Sequence, residues 1–447
     1  MSFELYEYKI EDLGKVITGK TPPSKISDAF SAQGIPFVTP KDMDGRRLID
    51  KTERYLSSQG VEAVRNCLLP QNSIAVSCIG SDMGKTVLLS GESITNQQIN
   101  AIVVDSERFD YKYVYYYLST LQDDFKAIAG GSATPILNKG HFSQFKVSLP
   151  VKPVQNKIAL ILDSLDTKIE VNTEINHTLE QMAQALFKSW FVDFEPVKAK
   201  ITALEAGGSQ EDATLAAMTA ISGKDADALT VFEREHPEQY AELQATAELF
   251  PSAMQDSELG NIPVTWEMGK LQDLLVLQRG FDLPSSARKD GEFPLIAASG
   301  PNGTHNVAMA KAPGVVTGRS GVLGKVYLTL EDYWPLNTTL WVKEFKRATP
   351  CYAYELLRLL DMKAFNAGSA VPSLNRNHIH SLSYPLPPME LVNLFESSAL
   401  LLHHRAHVNL KHSQSLALLR DTLLPKLLSG EITLPEAEQA VSEAENV

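Results

Sequence analysis

The stretch Ile79-Gly80-Ser81-Asp82-Met83-Gly84-Lys85-Thr86 holds the residue types from which phosphate-binding loops are made. Such a loop needs a glycine five positions ahead of its second glycine, so that backbone N–H groups wrap the phosphate. That position is Ile79, and the aligned stretch Arg319–Val326 fails too. A glycine-rich turn between strands is the better reading. The same turn can carry Lys85, or Arg319 and Lys325, towards an anionic partner. Asp332 with Glu344-Phe345-Lys346 resembles the carboxylate–lysine grouping of metal-dependent nucleases. No proline precedes Asp332 and the first half of the chain has no copy, so strand-end surface charge is preferred. There is no glycine-rich cofactor fingerprint, and no Asn-Pro-Pro-aromatic or Asp-Pro-Pro-aromatic tetrad. Chemistry on a substrate is therefore expected from a partner.

The residues that recur point elsewhere. Gly131-Ser132-Ala133-Thr134-Pro135-Ile136-Leu137-Asn138-Lys139-Gly140-His141 matches Gly368-Ser369-Ala370-Val371-Pro372-Ser373-Leu374-Asn375-Arg376-Asn377-His378, with seven of eleven positions identical. Lys9–Leu13 matches Lys270–Leu274, and Leu149-Pro150 matches Leu386-Pro387. Self-similarity over such distances marks a duplicated unit. In the repeated motif Asn138 and Asn375 can cap the next turn or reach a base edge, and Lys139 and Arg376 can contact phosphate or guanine. Because both copies keep it, an anchoring turn with a phosphate contact is favoured over base reading.

Each repeat ends in a long helix. In Val154–Phe191 the residues Ile158, Ile161, Leu165, Ile175, Leu179, Met182 and Leu186 recur at spacings of three and four, the stripe of a helix lying against another helix. At ~1.5 Å per residue it would be on the order of 55 Å long. A second copy runs over 391–428, offset by 237 positions. Lys168 and Asn172 interrupt the first stripe, and Arg405, Asn409 and His412 the second. Antiparallel pairing would bring these polar middles together as a layer that fixes register. Pro425 is expected to kink or end the second helix.

The intervening blocks read as mixed α/β, with β-type runs at Ile35–Thr39, Ser73–Ser77 and Ile99–Val104, an aromatic-rich helix over 111–129, and a similar pattern over 263–388. The expected fold is α+β: two pseudo-repeated mixed α/β domains separated by a pair of long antiparallel coiled-coil helices. The expected segments are a first recognition domain 1–150, a first spacer helix with its aromatic end 151–200, an acidic connector 201–262, a second recognition domain 263–388, a second spacer helix 389–430 and a frayed acidic tail 431–447. Net charge is −13, but residues 201–262 carry 2 Lys/Arg against 12 Asp/Glu and residues 429–447 carry 0 against 5. The excess acid thus sits in connector and tail, which argues against indiscriminate sticking to polyanions. Three cysteines without metal-ligand spacing, no apolar run of about 18 residues and no leader-like N-terminus lead us to expect a cytoplasmic protein without membrane contact.

Three runs carry a resemblance: Leu186–Pro196 (LFKSWFVDFEP), Phe250–Trp266 (FPSAMQDSELGNIPVTW) and Leu418–Ile432 (LLRDTLLPKLLSGEI). With the block-plus-helix duplication they resemble the specificity subunits of type I restriction-modification systems, over nearly the whole chain apart from the acidic tail. The resemblance implies a non-catalytic subunit. Each recognition domain would read one half of a bipartite, asymmetric double-stranded DNA site, and the helices would set the spacing. Two methyltransferase subunits would dock and methylate adenine, and restriction subunits would cleave unmodified DNA. No cofactor is expected in this chain; S-adenosylmethionine, ATP and Mg would sit on partner subunits. By residue type, Lys20, Lys41, Arg46, Arg47, Lys85, Asn138, Lys139, Arg279, Arg288, Arg319, Lys325, Asn375 and Arg376 are candidate DNA contacts. Leu186, Phe187, Trp190, Phe191, Phe194, Leu423, Leu424 and Leu427 are candidates for partner docking or for closing the helix pair. The rival readings are a coiled-coil adaptor without DNA contact, and a nuclease or methyltransferase acting alone.

Overall fold

The computed structural model describes residues 3–129, 136–365 and 373–445. The chain divides into two compact units, Met1–Asn172 with Lys411–Val447 and Thr173–Leu410. The unit boundary falls inside both long helices, Lys152–Phe191 and Met389–Ser429. Each unit therefore owns one sheet domain and a piece of each helix.

In the first unit, strand Ile99–Val104 pairs antiparallel with Gly14–Thr18 on one side and Ile74–Ser77 on the other. Thr86–Leu89 and Leu48–Ile49 complete a five-stranded sheet. Alternation sorts the side chains onto two faces. Ile74, Val76, Leu88 and Ile102 face Tyr113, Val114 and Leu118 and the long-helix residues Ile158, Leu162 and Leu165. Ala75, Val87, Leu89 and Ala101 face a second core with Phe37, Val38, Ile49 and Leu69. The aromatic stretch forms two helices, Tyr111–Ser119 and Gln122–Ile128, rather than one. The Ser119 and Thr120 hydroxyls bond back to the carbonyls of Tyr116 and Tyr117 at the break, an alternative to continuing the backbone ladder.

The second unit repeats the plan. Strands Leu275–Arg279, Thr339–Phe345, Gly314–Gly318 and Val326–Thr329 form one sheet, and Gly300–His305, Phe293–Ala297 and Trp334–Pro335 another. In both units the first and last strands of the domain pair: Tyr6–Lys9 with Lys146–Leu149, and Glu267–Lys270 with Ser383–Leu386. That pairing delivers the chain to the start of a long helix twice over. Segment 201–262 is more structured than a connector. Helices Glu195–Glu205, Gln210–Ser222, Ala226–Glu235 and Pro237–Glu248 precede a hairpin of Met254–Ser257 and Gly260–Pro263. Ala217, Met218, Leu229 and Ala247 give those helices a small core of their own.

Two sequence expectations at the C-terminus are overturned. Pro425 does not end its helix, which continues to Ser429. The one ladder bond it forfeits would go to the carbonyl of Asp421, an exposed residue whose carbonyl can meet water. Gly430, with φ +75°, ends the helix in the left-handed conformation. The tail does not fray: Leu434–Glu445 is a helix that buries Ala437 and Val441 in the first unit's core. Its apolar residues recur at helical spacing, and Thr433 opens it by bonding Glu436 through both amide and hydroxyl.

The aromatic helix end is likewise inside. Phe187, Trp190, Phe191 and Phe194 are buried with Tyr352, Trp266 and Phe395, in edge-to-face contacts such as Phe191 to Tyr352 at 5.0 Å between centroids. Removing the Phe187 side chain should lower the stability of the second unit by about 3–5 kcal/mol. Urea unfolding of Phe187→Ala, followed by tryptophan fluorescence, measures this; a change below about 1 kcal/mol would mean that the aromatic cluster is not the core it forms here.

Candidate nucleic-acid interface

The helix seam differs in detail from the predicted stripe. The first helix buries or half-buries Ile158, Leu162, Leu165, Ile169, Asn172, Asn176, Leu179 and Ala183, a strict seven-residue repeat. Ile175 and Met182, expected in the seam, are 41% and 52% exposed. Of the five residues expected to set register, Asn172 and Asn409 are buried, His412 is half-buried, and Lys168 and Arg405 are exposed. In the first unit the Asn172 Nδ2 donates to Ser413 Oγ at 3.1 Å. In the second, the Asn409 Nδ2 donates to Asn176 Oδ1 at 3.0 Å. The repeat offset of 237 converts one pair into the other. Both bonds run antiparallel, since the later residue of one helix meets the earlier residue of the other.

The first unit clamps its domain to the seam with charge. Arg47, a candidate DNA contact, instead bonds Asp163 at 2.6 Å and Glu170 at 2.9 Å on the long helix. Its side chain is 13% exposed. The structure thus places this guanidinium against three carboxylates, Asp163, Asp166 and Glu170, where it ties the domain to the long helix. Lys112 also bonds Asp163, while Asp166 accepts from Tyr116 and from Arg420 of the second helix. Burial disfavours charge on Arg47, but the bonded carboxylates of Glu170 and Asp163 outweigh it and hold the guanidinium above its usual range. Burial also opposes the Asp163 charge, yet Lys112 and Arg47 keep that carboxyl below the usual carboxylate range. Charged pairs this enclosed lose more when one partner is removed than they add as a pair.

The second unit uses a different clamp. Glu180 of the long helix accepts from Tyr354 Oη at 2.7 Å and Arg358 Nη1 at 2.8 Å. Tyr354 packs edge-on against His403, 5.5 Å between centroids. Glu355 is 1% exposed, and its Oε1 has no hydrogen-bond partner among the described residues. Arg358 lies 3.6 Å away and is shared with Glu180.

Other expected contacts are turns and caps. Residues 79–86 form a turn between antiparallel strands, with Gly80 and Gly84 at positive φ and Lys85 paired to Asp82 at 2.8 Å. Asn138 caps helix Lys139–Gln144 by accepting from the His141 amide, and Asn375 caps Arg376–His380 by accepting from the Asn377 amide. Beside them Leu137 and Leu374 are buried. The Gly131–Pro135 and Gly368–Pro372 parts of the motif lie outside the described residues. Lys20, Lys41, Lys139, Lys325 and Arg376 are exposed, Arg288 is half-buried, and Arg46 is bonded to Asp44 and Asp50 on the surface. The nuclease-like grouping is not assembled. Asp332 is bonded to Lys311 at 2.6 Å and to the Ala312 amide at 3.0 Å, whereas Lys346 donates to the Gln272 carbonyl.

The structure does bring Arg279 and Arg319 to one place. Arg279 pairs with Asp282 at 3.2 Å, Asn337 donates to Asp282, and Arg319 donates to the Asn337 carbonyl at 3.3 Å. Composition gave no pointer to Asp282 or Asn337. Their signal was positional: they flank the glycine and strand that the two repeats share.

Two sheet domains, each seated on a segment of one antiparallel helix pair and carrying different surface residues on a common frame, define a duplicated recognition scaffold. The comparisons with known proteins agree with that class. Residues 4–181 match the family "Type I restriction modification DNA specificity domain". The chain is 33% identical over 343 residues to the type I restriction enzyme HindI specificity subunit of Haemophilus influenzae, covering 69% of this chain and 74% of that one. It is 32% identical over 193 residues to the MjaIX specificity subunit of Methanocaldococcus jannaschii, covering 42% of this chain and 44% of that one. The crystal structure of a type I S subunit from M. genitalium shares the fold, with a TM-score of 0.53 at 16% identity over 95% of this chain and 96% of that one. The chain belongs to the family of type I restriction enzyme specificity subunits. The two units have the mixed α/β architecture expected from the sequence, and no described helix is long and apolar enough to cross a membrane.

Glu355 makes the second clamp sensitive to pH. Burial, opposed by Arg358 and reinforced by Glu180, pushes its carboxyl up to about 7. A raised carboxyl pKa favours the folded state below the unfolded value and loses that contribution as pH rises towards 7. Glu355→Gln should therefore unfold at higher temperature than the parent at pH 8, by an amount equivalent to about 2 kcal/mol, with little difference at pH 4.5. Thermal unfolding at the two pH values tests this, and equal shifts at both would contradict it.

Proposed function

We propose that this chain selects the DNA sequence on which a type I restriction-modification complex acts. Each unit reads one half of a split, asymmetric site, and the paired helices set the gap between the halves. The observation that carries the reading is the repeated frame. Seam bonds and domain closure recur at matched positions, while the surfaces between them carry different residues. A repeated frame suits two equivalent docking places, and divergent surfaces suit an asymmetric target.

The docking of two methyltransferase subunits moves, in this reading, from the buried aromatic residues to the exposed apolar ones on the helices. Val171 and Val408 occupy the same repeat position and are 42% and 56% exposed. Leu401 and Leu418 are about as exposed as surface lysines, at 71% and 70%. Such residues suit a partner's apolar face. S-adenosylmethionine, and the ATP and Mg of restriction, belong to the partner subunits in this scheme. The exposed cations Lys20, Lys41, Lys139, Lys325 and Arg376 serve phosphate contacts, which position the complex without reading sequence.

A spacer of two helices can be lengthened without changing its face only in whole heptads. Inserting seven residues after Asn176, together with seven between Val408 and Asn409, adds about 10 Å of helix and leaves both polar pairs intact. That equals roughly three base pairs at about 3.4 Å each. Adenine-methylation mapping in cells expressing the variant with its methyltransferase should show the same bases in both halves and a gap longer by about three. An unchanged gap, or altered bases, would contradict the spacer role.

A further inference from the structure

Both units carry the same corner, where the first sheet strand turns away from the long strand beside it. Gly19 N–H donates to the Ile99 carbonyl and Gly280 N–H to the Thr339 carbonyl, each at 3.1 Å. Lys20 N–H donates to the Thr95 carbonyl at 2.9 Å and Phe281 N–H to the Pro335 carbonyl at 2.8 Å. Ile99 N–H donates to the Asn96 carbonyl, as Thr339 N–H does to that of Leu336. These matched bonds superpose Thr21 on Asp282 and Gln97 on Asn337.

The side chains at those positions are joined across the corner in both units. Thr21 Oγ1 donates to Gln97 Oε1 at 2.7 Å, and Asn337 Nδ2 donates to Asp282. The backbone is preserved and a carboxamide is preserved, but its length and the group that orients it are changed. The surroundings differ as well. Arg279 and Arg319 flank Asn337 in the second unit, where the first has Thr18 and Cys78 at the matching backbone positions.

We propose that Gln97 and Asn337 are equivalent base-reading positions of the two units, each presenting its carboxamide to an adenine edge in the major groove. This rests on the DNA-reading role proposed above. A carboxamide carries a donor beside an acceptor, the pattern that matches adenine N7 and N6. One bond to Thr21 or Asp282 fixes its direction and leaves donor and acceptor capacity free: both Nε2 hydrogens and one lone pair on Gln97, one Nδ2 hydrogen and both lone pairs on Asn337. Phosphate is the same at every step of the duplex, so it does not call for retyping a matched pair. The base pairs beside each adenine differ between the halves and do.

The test uses the purified complex of this chain with its methyltransferase subunit, titrated with duplexes that each change one base pair of the recognised site. Gln97→Ala should lower discrimination at one base pair of one half by roughly tenfold or more. The other half and the salt dependence should be unchanged. Asn337→Ala should do the same in the opposite half. Gln97→Glu, which keeps the size but loses the amide donor, should shift preference at that base pair towards cytosine, whose N4 donates. Equal weakening on every duplex, or intact discrimination in all three variants, would overturn the inference while leaving the DNA-reading role standing. A parent complex that discriminates among none of the duplexes would overturn both.

Discussion

The structure depends on a polar layer inside an apolar helix seam. Asn172 with Ser413 and Asn409 with Asn176 are matched pairs at buried or half-buried positions. Leucine at these places would pack and stabilise, but it would also fit a neighbour one heptad away. An amide left without its partner after such a slip would cost about 1–3 kcal/mol. The layer therefore gives up stability for a single register. In the proposed function, where the helices set the gap between two half-sites, register is the functional quantity.

The two domains sit on the seam by different chemistry. Arg47, Lys112, Tyr116 and Arg420 hold the first through the carboxylates of Asp163, Asp166 and Glu170. Tyr354 and Arg358 hold the second through Glu180, beside the buried Glu355. The duplicated frame thus tolerates replacement of the charged clamp as long as the domain closes strand to strand before entering its helix.

Much of this was legible in the sequence, and the failures have physical causes. The repeat, the helices, the antiparallel logic and the family all followed from spacing and identity. The seam was misread at Ile175 and Met182 because Asn172 and Asn176 occupy core positions. A search for apolar periodicity steps over them to Ile175 and Met182, which are exposed. The aromatic run at 186–194 looked too rich for one core because its partners, Tyr352, Trp266 and Phe395, lie far away in sequence. The clamp around Arg47 was not legible because residue type says nothing of which carboxylates will surround it. Pro425 was tolerated inside the helix because its single lost bond falls at an exposed residue, Asp421. The carboxamide corners were invisible to composition; only the matched backbone bonds of two folded units align Gln97 with Asn337.

The most direct measurement is cross-linking across the polar layer. The double variant Asn172→Cys with Ser413→Cys, in full-length protein and under mild oxidation, should form an intrachain disulfide. It would be seen as a faster-migrating monomer on a non-reducing gel and a loss of two mass units. The three native cysteines are buried and serve as the background in the parent chain. A dimer linked between chains, or cysteines that remain reduced, would contradict the antiparallel register on which the account rests.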